Sequence, residues 1–409
     1  MNIAVSHPKK TFKGTLEITG SKSESNRLLL LQALFPSLKI ENISNSDDSR
    51  VMKQALFSKD VTVDIHHAGT AMRFLTAYFS IQDKRETILT GSSRMQERPI
   101  KILVDALRQL GAKITYENKD GYPPIRIIGG MMSKNRVSLP ADVSSQYISA
   151  LMLIGPFLPH GLVIDLVGEI TSIPYIKMTQ SLMERIGIGV SFADNSICVD
   201  SKQQLESQLQ TVESDWSSAS YYFSIVALSD QGSIRLKSYR EDSLQGDASL
   251  RAIYKELGVN SYFEENATLV LSKIPDFNLP KTITLDLTTA PDIAQTIAVS
   301  CYGLGIGCDL TGLHTLKIKE TDRLYALDVE LKKLGANINV TNNSLSLVPG
   351  GNFKKNCLIP TYKDHRMAMA FAPLALKIPL EIEEAEVVSK SYPDFWEDLE
   401  KIGFELIRR

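Results

Sequence analysis

The 409-residue sequence is short of several things, and each shortage closes off a class of protein. It carries no excess of positive charge, since 45 Lys and Arg face 47 Asp and Glu for a net charge of −2. A global basic field for nucleic acid is therefore absent, and any anion site must be a local concentration of cations. Only four cysteines occur, at 198, 301, 308 and 357, with no Cys-x-x-Cys and no paired spacing. That pattern speaks for reduced thiols in a cytosol rather than a disulfide frame or a zinc site. No set of His, Cys, Asp and Glu shows metal-ligand spacing. The most apolar stretch, 147–167, is broken by Pro156, Pro159, His160 and Asp165, so no segment spans a bilayer. Residues 1–8 lack the basic-then-apolar pattern of a secretion signal. No low-complexity tract or long linker divides the chain. The expectation is a cytoplasmic protein without nucleic-acid or membrane partners.

What is present is a repeat. A short phrase recurs, an amphipathic last turn followed by glycine and an alternating strand, with its glycine at 111, 187, 258, 335 and 403. Each glycine stands where a helix ends in the left-handed conformation. The helices behind them start near Asp48, Pro99, Pro174, Asp247, Thr321 and Pro393, by proline at the first helical position or by Asp and Thr caps. A second series of starts alternates with the first, near Glu24, Thr70, Ser144, Asp215, Pro291 and His365. Six units of two helices each, with strands between, account for nearly the whole chain. The first unit is the short one, because residues 51–57 resemble the phrase without its glycine. Hairpin-like strand pairs, such as 113–116 with 125–128, complete an α/β class. Six units divide into two domains of three, with a short crossing near Glu213.

Polar groups collect at the helix starts. The stretch from Thr19 to Arg27 reads as strand, tight turn and helix, with Gly20 at the turn and Ser21 or Ser23 as cap. It sets Lys22 at the helix N-terminus and Arg27 one turn further in, where free N–H groups and a positive dipole end favour anions. It is not a P-loop, since Ser21 separates Gly20 from Lys22. Later starts add His67-Ala-Gly69-Thr-Ala-Met-Arg73, then Arg98 ahead of Pro99, then Ser144-Ser145-Gln146 and Ser172. The second half adds Asp292, then Lys319-Glu320-Thr-Asp-Arg323, Asp364-His365-Arg366 and Lys390. Taken singly, each is an ordinary cap or a solvated helix face. Taken together they point to a site for small polyanions, with Lys and Arg neutralising and Arg offering bidentate contacts. Few acids sit among these cations, chiefly Asp292 and Glu320. Carboxylates there oppose anion binding, so their expected work is proton transfer.

The sequence resembles the 5-enolpyruvylshikimate-3-phosphate synthase family of enolpyruvyl transferases. The resemblance rests on Gly20-Ser-Lys-Ser-x-Ser-Asn-Arg27, Ala68-Gly-Thr-Ala-Met-Arg73, Glu97-Arg-Pro-Ile100, Ser144-Ser-Gln146, Asp215-x-Ser-Ser-Ala-Ser220, Lys319-Glu-Thr-Asp-Arg323 and Asp364-His-Arg-Met-Ala-Met369, in family order. It implies a two-domain inside-out α/β barrel of six βαβαββ-type units, three per domain, with helix N-termini facing the interdomain cleft. The domains would be 1–20 plus 214–409, and 21–213. The reaction implied joins phosphoenolpyruvate to the 5-hydroxyl of shikimate 3-phosphate, releasing phosphate through a tetrahedral intermediate, without metal or organic cofactor. Glyphosate would compete with phosphoenolpyruvate, and the chain would act as a monomer.

Carried over by position, the resemblance implies that Lys22, Gly69, Arg98, Gln146, Arg323, Arg366 and Lys390 hold phosphoenolpyruvate. It assigns Lys22, Ser23, Arg27, Ser144, Ser145, Gln146, Ser172, Asp292 and Lys319 to shikimate 3-phosphate. Asp292 would be the base on the 5-hydroxyl and Glu320 the acid toward the methylene carbon, with Lys22 and His365 assisting. Departures from the family pattern are His67 for Asn, Phe74 for Pro, Thr315 for Asn and Lys317 for Arg. Two alternatives stand beside this reading. One is enolpyruvyl transfer to UDP-N-acetylglucosamine, against which speaks the lack of a cysteine in 94–98. The other is a non-catalytic polyanion-binding protein, which predicts dispersed cations and aromatic stacking platforms.

Overall fold

The computed structural model describes residues 1–142, 144–168, 170, 173–350, 353–354 and 357–409. The chain folds as two compact units, Gly20–Val212 and Met1–Thr19 with Glu213–Arg409. Hydrogen bonding explains the discontinuous unit. Ile3–Ser6 pairs antiparallel with both Leu380–Ile382 and Glu405–Arg408, while Thr11–Leu16 lies parallel to Gln231–Leu236. Residues from the start of the chain thus complete two sheets of its second half.

Each unit holds three sheets among the described residues. In Gly20–Val212 two are four-stranded, and the third is the two-stranded parallel pair Leu38–Glu41 with Gln208–Thr211. The other unit holds three four-stranded sheets. The reduced sheet belongs to the repeat that the sequence shows to be short. Lys113–Tyr116 pairs antiparallel with Ile125–Ile128, the hairpin legible from the sequence.

The two helix series differ in where they sit, and their sequences dictate it. Gly69–Ser80, Ser145–Ile154, Trp216–Leu228, Ala294–Leu304 and His365–Phe371 are apolar on nearly every face and almost wholly buried. A helix without a polar face must lie inside, so the sheets are left to cover it. In one unit Gly69–Ser80 packs on Ser145–Ile154 and on Lys22–Leu34. In the other, Ala294–Leu304 packs on both Trp216–Leu228 and His365–Phe371. Hydroxyls inside are satisfied locally, as where Ser300 Oγ donates to the Thr296 carbonyl at 2.7 Å. The alternate helices, such as Lys101–Leu110 and Arg323–Leu334, keep one exposed face.

The repeat glycines end these outer helices with φ of 111°, 83°, 79°, 105° and 97° at 111, 187, 258, 335 and 403. A side chain at such an angle is strained, which accounts for glycine at each. Asp47–Phe57, the helix without the glycine, leaves through Ser58 in extended conformation at φ −64°.

Candidate active site

The starts of the inner helices carry the polar groups, and two lack the usual side-chain cap. Ser21 and Ala68 precede Lys22–Leu34 and Gly69–Ser80, and neither accepts a capping hydrogen bond on its side chain. An uncapped start offers its first N–H groups to an anion. Ser21 stands in the cap position that the sequence suggests, but its hydroxyl does not cap.

In Gly20–Val212 the predicted residues gather around three inner helix starts. Lys22 is ion-paired with Asp48 at 3.4 Å, an acid at the start of Asp47–Phe57. Gly69 leaves room for a guanidinium, because a Cβ there would lie 2.5 Å from Arg98 Nη1. Arg98 is half-buried over this helix start. Gln146 Nε2 donates to Thr70 Oγ1 at 3.2 Å, which ties the starts of two inner helices together. Ser144 caps its helix by accepting from Gln146 N at 3.4 Å, and its neighbour Ser145 is buried. Ser23 is half-buried and gives its carbonyl to Arg27 Nη1 at 2.8 Å.

Arg27 itself is only 2% exposed. Its Nε donates to Thr179 Oγ1 at 2.7 Å and its Nη2 to Ser149 Oγ at 3.1 Å, and its guanidinium lies 5.5 Å from the Phe74 ring. Burial lowers its pKa to about 10, still far above neutrality. Arg27 therefore ties its own helix to Ser145–Ile154 and Ile173–Arg185 from within, which spacing alone could not show. Arg73 does similar work, donating to the Gly69 carbonyl at 3.1 Å and the Pro99 carbonyl at 3.3 Å. The residue thereby fixes both the Gly69 start and the segment after Arg98. Ser172 lies outside the described residues.

In the other unit the predicted residues form one continuous ion-pair network. Asp292 meets Lys319 at 3.3 Å, Arg323 at 2.9 Å and Arg366 at 3.3 Å. Glu320 accepts from Arg323 Nη2 at 2.8 Å and from Lys390 Nζ at 2.7 Å. Arg323, 2% exposed, also donates through Nε to Asp364 Oδ2 at 2.7 Å. Asp364 in turn caps its helix by accepting from Arg366 N at 2.9 Å. His365 is buried beside it, with Nδ1 3.6 Å from Asp364 Oδ1. Arg366 joins three inner helix starts, since its Nη2 reaches both Ser217 Oγ at 3.2 Å and Asp292 Oδ2.

The acids here are more numerous than the sequence reading has them. Asp364 is the fully buried partner of Arg323, and Asp247 hydrogen-bonds Ser217. Asp364 reads locally as part of a hydrogen-bonding cluster with His365 and Arg366 and Asp247 as a cap, and their partners lie 41 and 30 residues away, beyond the reach of any spacing rule. Electrostatics follows from this arrangement. Burial opposes ionisation of Asp292, but Lys319, Arg366 and Arg323 outweigh it and hold the carboxyl well below the usual range. The same carboxylates raise Arg323 and Arg366 against their own burial.

Among the positions that depart from the family pattern, His67 Nδ1 lies 2.7 Å from Ser92 Oγ and Lys317 reaches Asn342 Oδ1 at 2.8 Å. Thr315 Oγ1 is buried without a hydrogen-bond partner among the described residues, and Phe74 is fully buried. Among the described residues no three of His, Cys, Asp and Glu are grouped to hold a metal ion. All four cysteines are free thiols, and no described helix is long and apolar enough to cross a membrane.

Inside-out layers of repeated sheets, with cations and carboxylates at the inner helix starts, define a repeat-built α/β protein that handles small anions. Comparison with known proteins narrows this. The sequence model of EPSP synthase (3-phosphoshikimate 1-carboxyvinyltransferase) matches residues 50–399. The 3-phosphoshikimate 1-carboxyvinyltransferase of Bacteroides fragilis (strain YCH46) is 45% identical over 409 residues, covering 99% of this chain and 98% of its own. That of Sulfurovum sp. (strain NBC37-1) is 34% identical over 433 residues, covering 98% and 100%. Two structures of EPSP synthase from Acinetobacter baumannii share the fold over the whole of both chains, with TM-scores of 0.80 and 0.81 at 20% identity. The chain belongs to the EPSP synthase family. Its activity is that of a 3-phosphoshikimate 1-carboxyvinyltransferase, an enzyme of the shikimate pathway.

Proposed function

We propose that Asp292 and Glu320 carry the two proton transfers of this reaction, and that the surrounding cations bind its two anionic substrates. The observation behind this reading is that one buried guanidinium, Arg323, holds both carboxylates while Lys319, Arg366 and Lys390 each engage one of them. Two acids are thus fixed among groups whose natural partners are phosphate and carboxylate.

In the first step Asp292 accepts the proton of the shikimate 3-phosphate 5-hydroxyl as that oxygen attacks the central carbon of phosphoenolpyruvate. Once phosphoenolpyruvate draws Lys390 and Arg323 from Glu320, that carboxylate takes up a proton and delivers it to the methylene carbon, which becomes a methyl group, and a tetrahedral intermediate results. In the second step the methyl group returns a proton to the Glu320 carboxylate, the electron pair left behind reforms the double bond, and the carbon–oxygen bond to phosphate breaks, the phosphate leaving with the proton held by Asp292. Lys22 and His365 assist the proton traffic.

Lys22, Gly69, Arg98, Gln146, Arg366 and Lys390 hold phosphoenolpyruvate in this reading. Lys22, Ser23, Ser144, Ser145, Gln146, Ser172, Asp292 and Lys319 hold shikimate 3-phosphate. Arg323 and Arg27 belong to the same two sets, and their burial adds the task of keeping their neighbours in place.

Without substrate, Asp292 is a weak base, because three cations stabilise its ionised form. Substrate phosphate and carboxylate groups compete for Lys319 and Arg366, and that competition raises the basicity of Asp292 when the hydroxyl is bound. The base is thus switched on by the substrates themselves. The enzyme works in this reading as a cytoplasmic monomer that needs no cofactor.

Phosphate release from phosphoenolpyruvate tests the reading, measured with shikimate 3-phosphate, with UDP-N-acetylglucosamine and with no acceptor. Release with shikimate 3-phosphate alone is expected. Equal release with the UDP sugar, or none with either, would overturn it.

A further inference from the structure

The network around Arg366 extends to an acid that the reaction described above does not use. Asp247 lies in the short turn Gly246–Ser249 and is only 8% exposed. Its Oδ2 accepts from Ser217 Oγ, and that same oxygen accepts from Arg366 Nη2 at 3.2 Å. Asp247 caps neither Gly246–Ser249 nor Leu250–Lys255, since neither start has a side-chain cap, and Asp215 caps Trp216–Leu228 by accepting from Ser218 N at 2.8 Å.

The direction of the chain is fixed by chemistry. A guanidinium only donates, and a serine hydroxyl has one proton. An ionised Asp247 takes that proton, so the hydroxyl must turn its lone pairs to Arg366. The carboxylate thus orients the serine, and the serine orients the guanidinium. Arg366 Nη2 has a second partner in Asp292, and Arg366 Nε is buried without one among the described residues. If an arriving anion draws Arg366 away from Asp292, Ser217 is the contact that still fixes the guanidinium plane.

We propose that Asp247, acting through the Ser217 hydroxyl, is a positioning residue that orients Arg366 toward phosphoenolpyruvate. This rests on the reading of Arg366 as a phosphoenolpyruvate ligand. The charged groups facing Asp247 are Arg366 from His365–Phe371, Asp292 from Pro291–Ile293 and Asp215 at the start of Trp216–Leu228. On the adjoining helix Leu250–Lys255, Arg251 is paired instead with Glu241 at 3.6 Å. Burial, with Arg366 opposing it, pushes the Asp247 carboxyl up to about 6. Its ionisation, and with it the orientation of Ser217, changes within the working pH range.

Four variants test this: Ser217→Ala, Asp247→Ala, Asp247→Asn and Arg366→Gln, with folding checked by circular dichroism. Ser217→Ala and Asp247→Ala should each raise KM for phosphoenolpyruvate about tenfold, as expected for a misaligned clamp, and leave KM for shikimate 3-phosphate unchanged. The Ser217→Ala, Asp247→Ala double variant should be no worse than the worse single. Asp247→Asn keeps an acceptor but no charge. It should restore part of the loss and remove an inflection near pH 6 from kcat/KM relative to wild type on the same substrates. If Asp247→Ala does not fold, Ser217→Ala and Asp247→Asn carry the test. An unchanged KM for phosphoenolpyruvate in Ser217→Ala, with a raised one in Arg366→Gln, overturns this inference alone. An unchanged KM in Arg366→Gln overturns the reading of Arg366 and this inference with it.

Discussion

Removing the Arg323 guanidinium while keeping the length of the side chain, as in Arg323→Met, should destabilise the unit formed by Met1–Thr19 and Glu213–Arg409. The guanidinium is buried and donates to three carboxylates, at 2.7 Å to Asp364, 2.9 Å to Asp292 and 2.8 Å to Glu320. Asp292 and Glu320 keep other cations, but Asp364 is fully buried and retains chiefly the Arg366 backbone N–H. Breaking a buried pair by deleting one partner costs about 3–5 kcal/mol, since the other charge is left uncompensated. For a unit of about 200 residues that corresponds to a fall in Tm of about 10 °C.

The assay is urea or thermal unfolding followed by tryptophan fluorescence. Both tryptophans, Trp216 and Trp396, are buried in this unit, so the signal reports it alone. Adding Asp364→Leu should recover all but about 1 kcal/mol, the worth of the lost helix cap. A deficit below about 1 kcal/mol would refute the reasoning.

Further expectations follow from single contacts. Gly69→Ala places a methyl group 2.5 Å from Arg98 Nη1, so the guanidinium must move. KM for phosphoenolpyruvate should rise about tenfold, Tm should stay unchanged, and glyphosate inhibition should weaken more than substrate binding. Equal KM values in steady-state kinetics would show that Arg98 is not the group displaced. Asp292→Asn should lower kcat by about 10²–10⁴-fold. The same substitution should flatten the acid limb of stability. The Asp292 pKa is depressed on folding, so wild type holds that stabilisation above pH about 4 and loses it as pH falls further. Urea midpoints of both proteins from pH 7 down to 3 check the sign.

Much of the fold is legible in the sequence because its signals are local. The repeat glycines, the prolines and the Asp caps each act on their own turn, and the helix starts fall within a few residues of where they are read. The inner helices are legible for the same reason, since Trp216–Leu228 and Ala294–Leu304 have no polar face to expose. Sheet partners are another matter. Nothing near Leu38–Glu41 announces a parallel pairing with Gln208–Thr211, because that choice depends on how the whole unit closes.

The polar network divides in the same way. Lys319, Glu320 and Arg323 stand together in sequence, and Glu320 and Arg323 are joined in the structure. Arg27 reads as a surface cation at a helix start, yet Thr179 and Ser149, more than a hundred residues on, draw it inside. Asp247 reads as a cap and Asp364-His365-Arg366 as a polar cluster at a helix start, and only folding reveals the partners of the two acids in Ser217 and Arg323.

The account turns on Glu320 as a proton donor among cations that could bind anions without it. The most direct test is the turnover number of Glu320→Gln at saturating phosphoenolpyruvate and shikimate 3-phosphate. Glutamine keeps the size of the side chain and one of the two oxygens that accept from Lys390 and Arg323, but has no acidic proton to give. The account predicts a kcat lower by about 10²–10⁴-fold, with both KM values little changed. A kcat within about threefold of wild type, or a loss confined to KM, would contradict it.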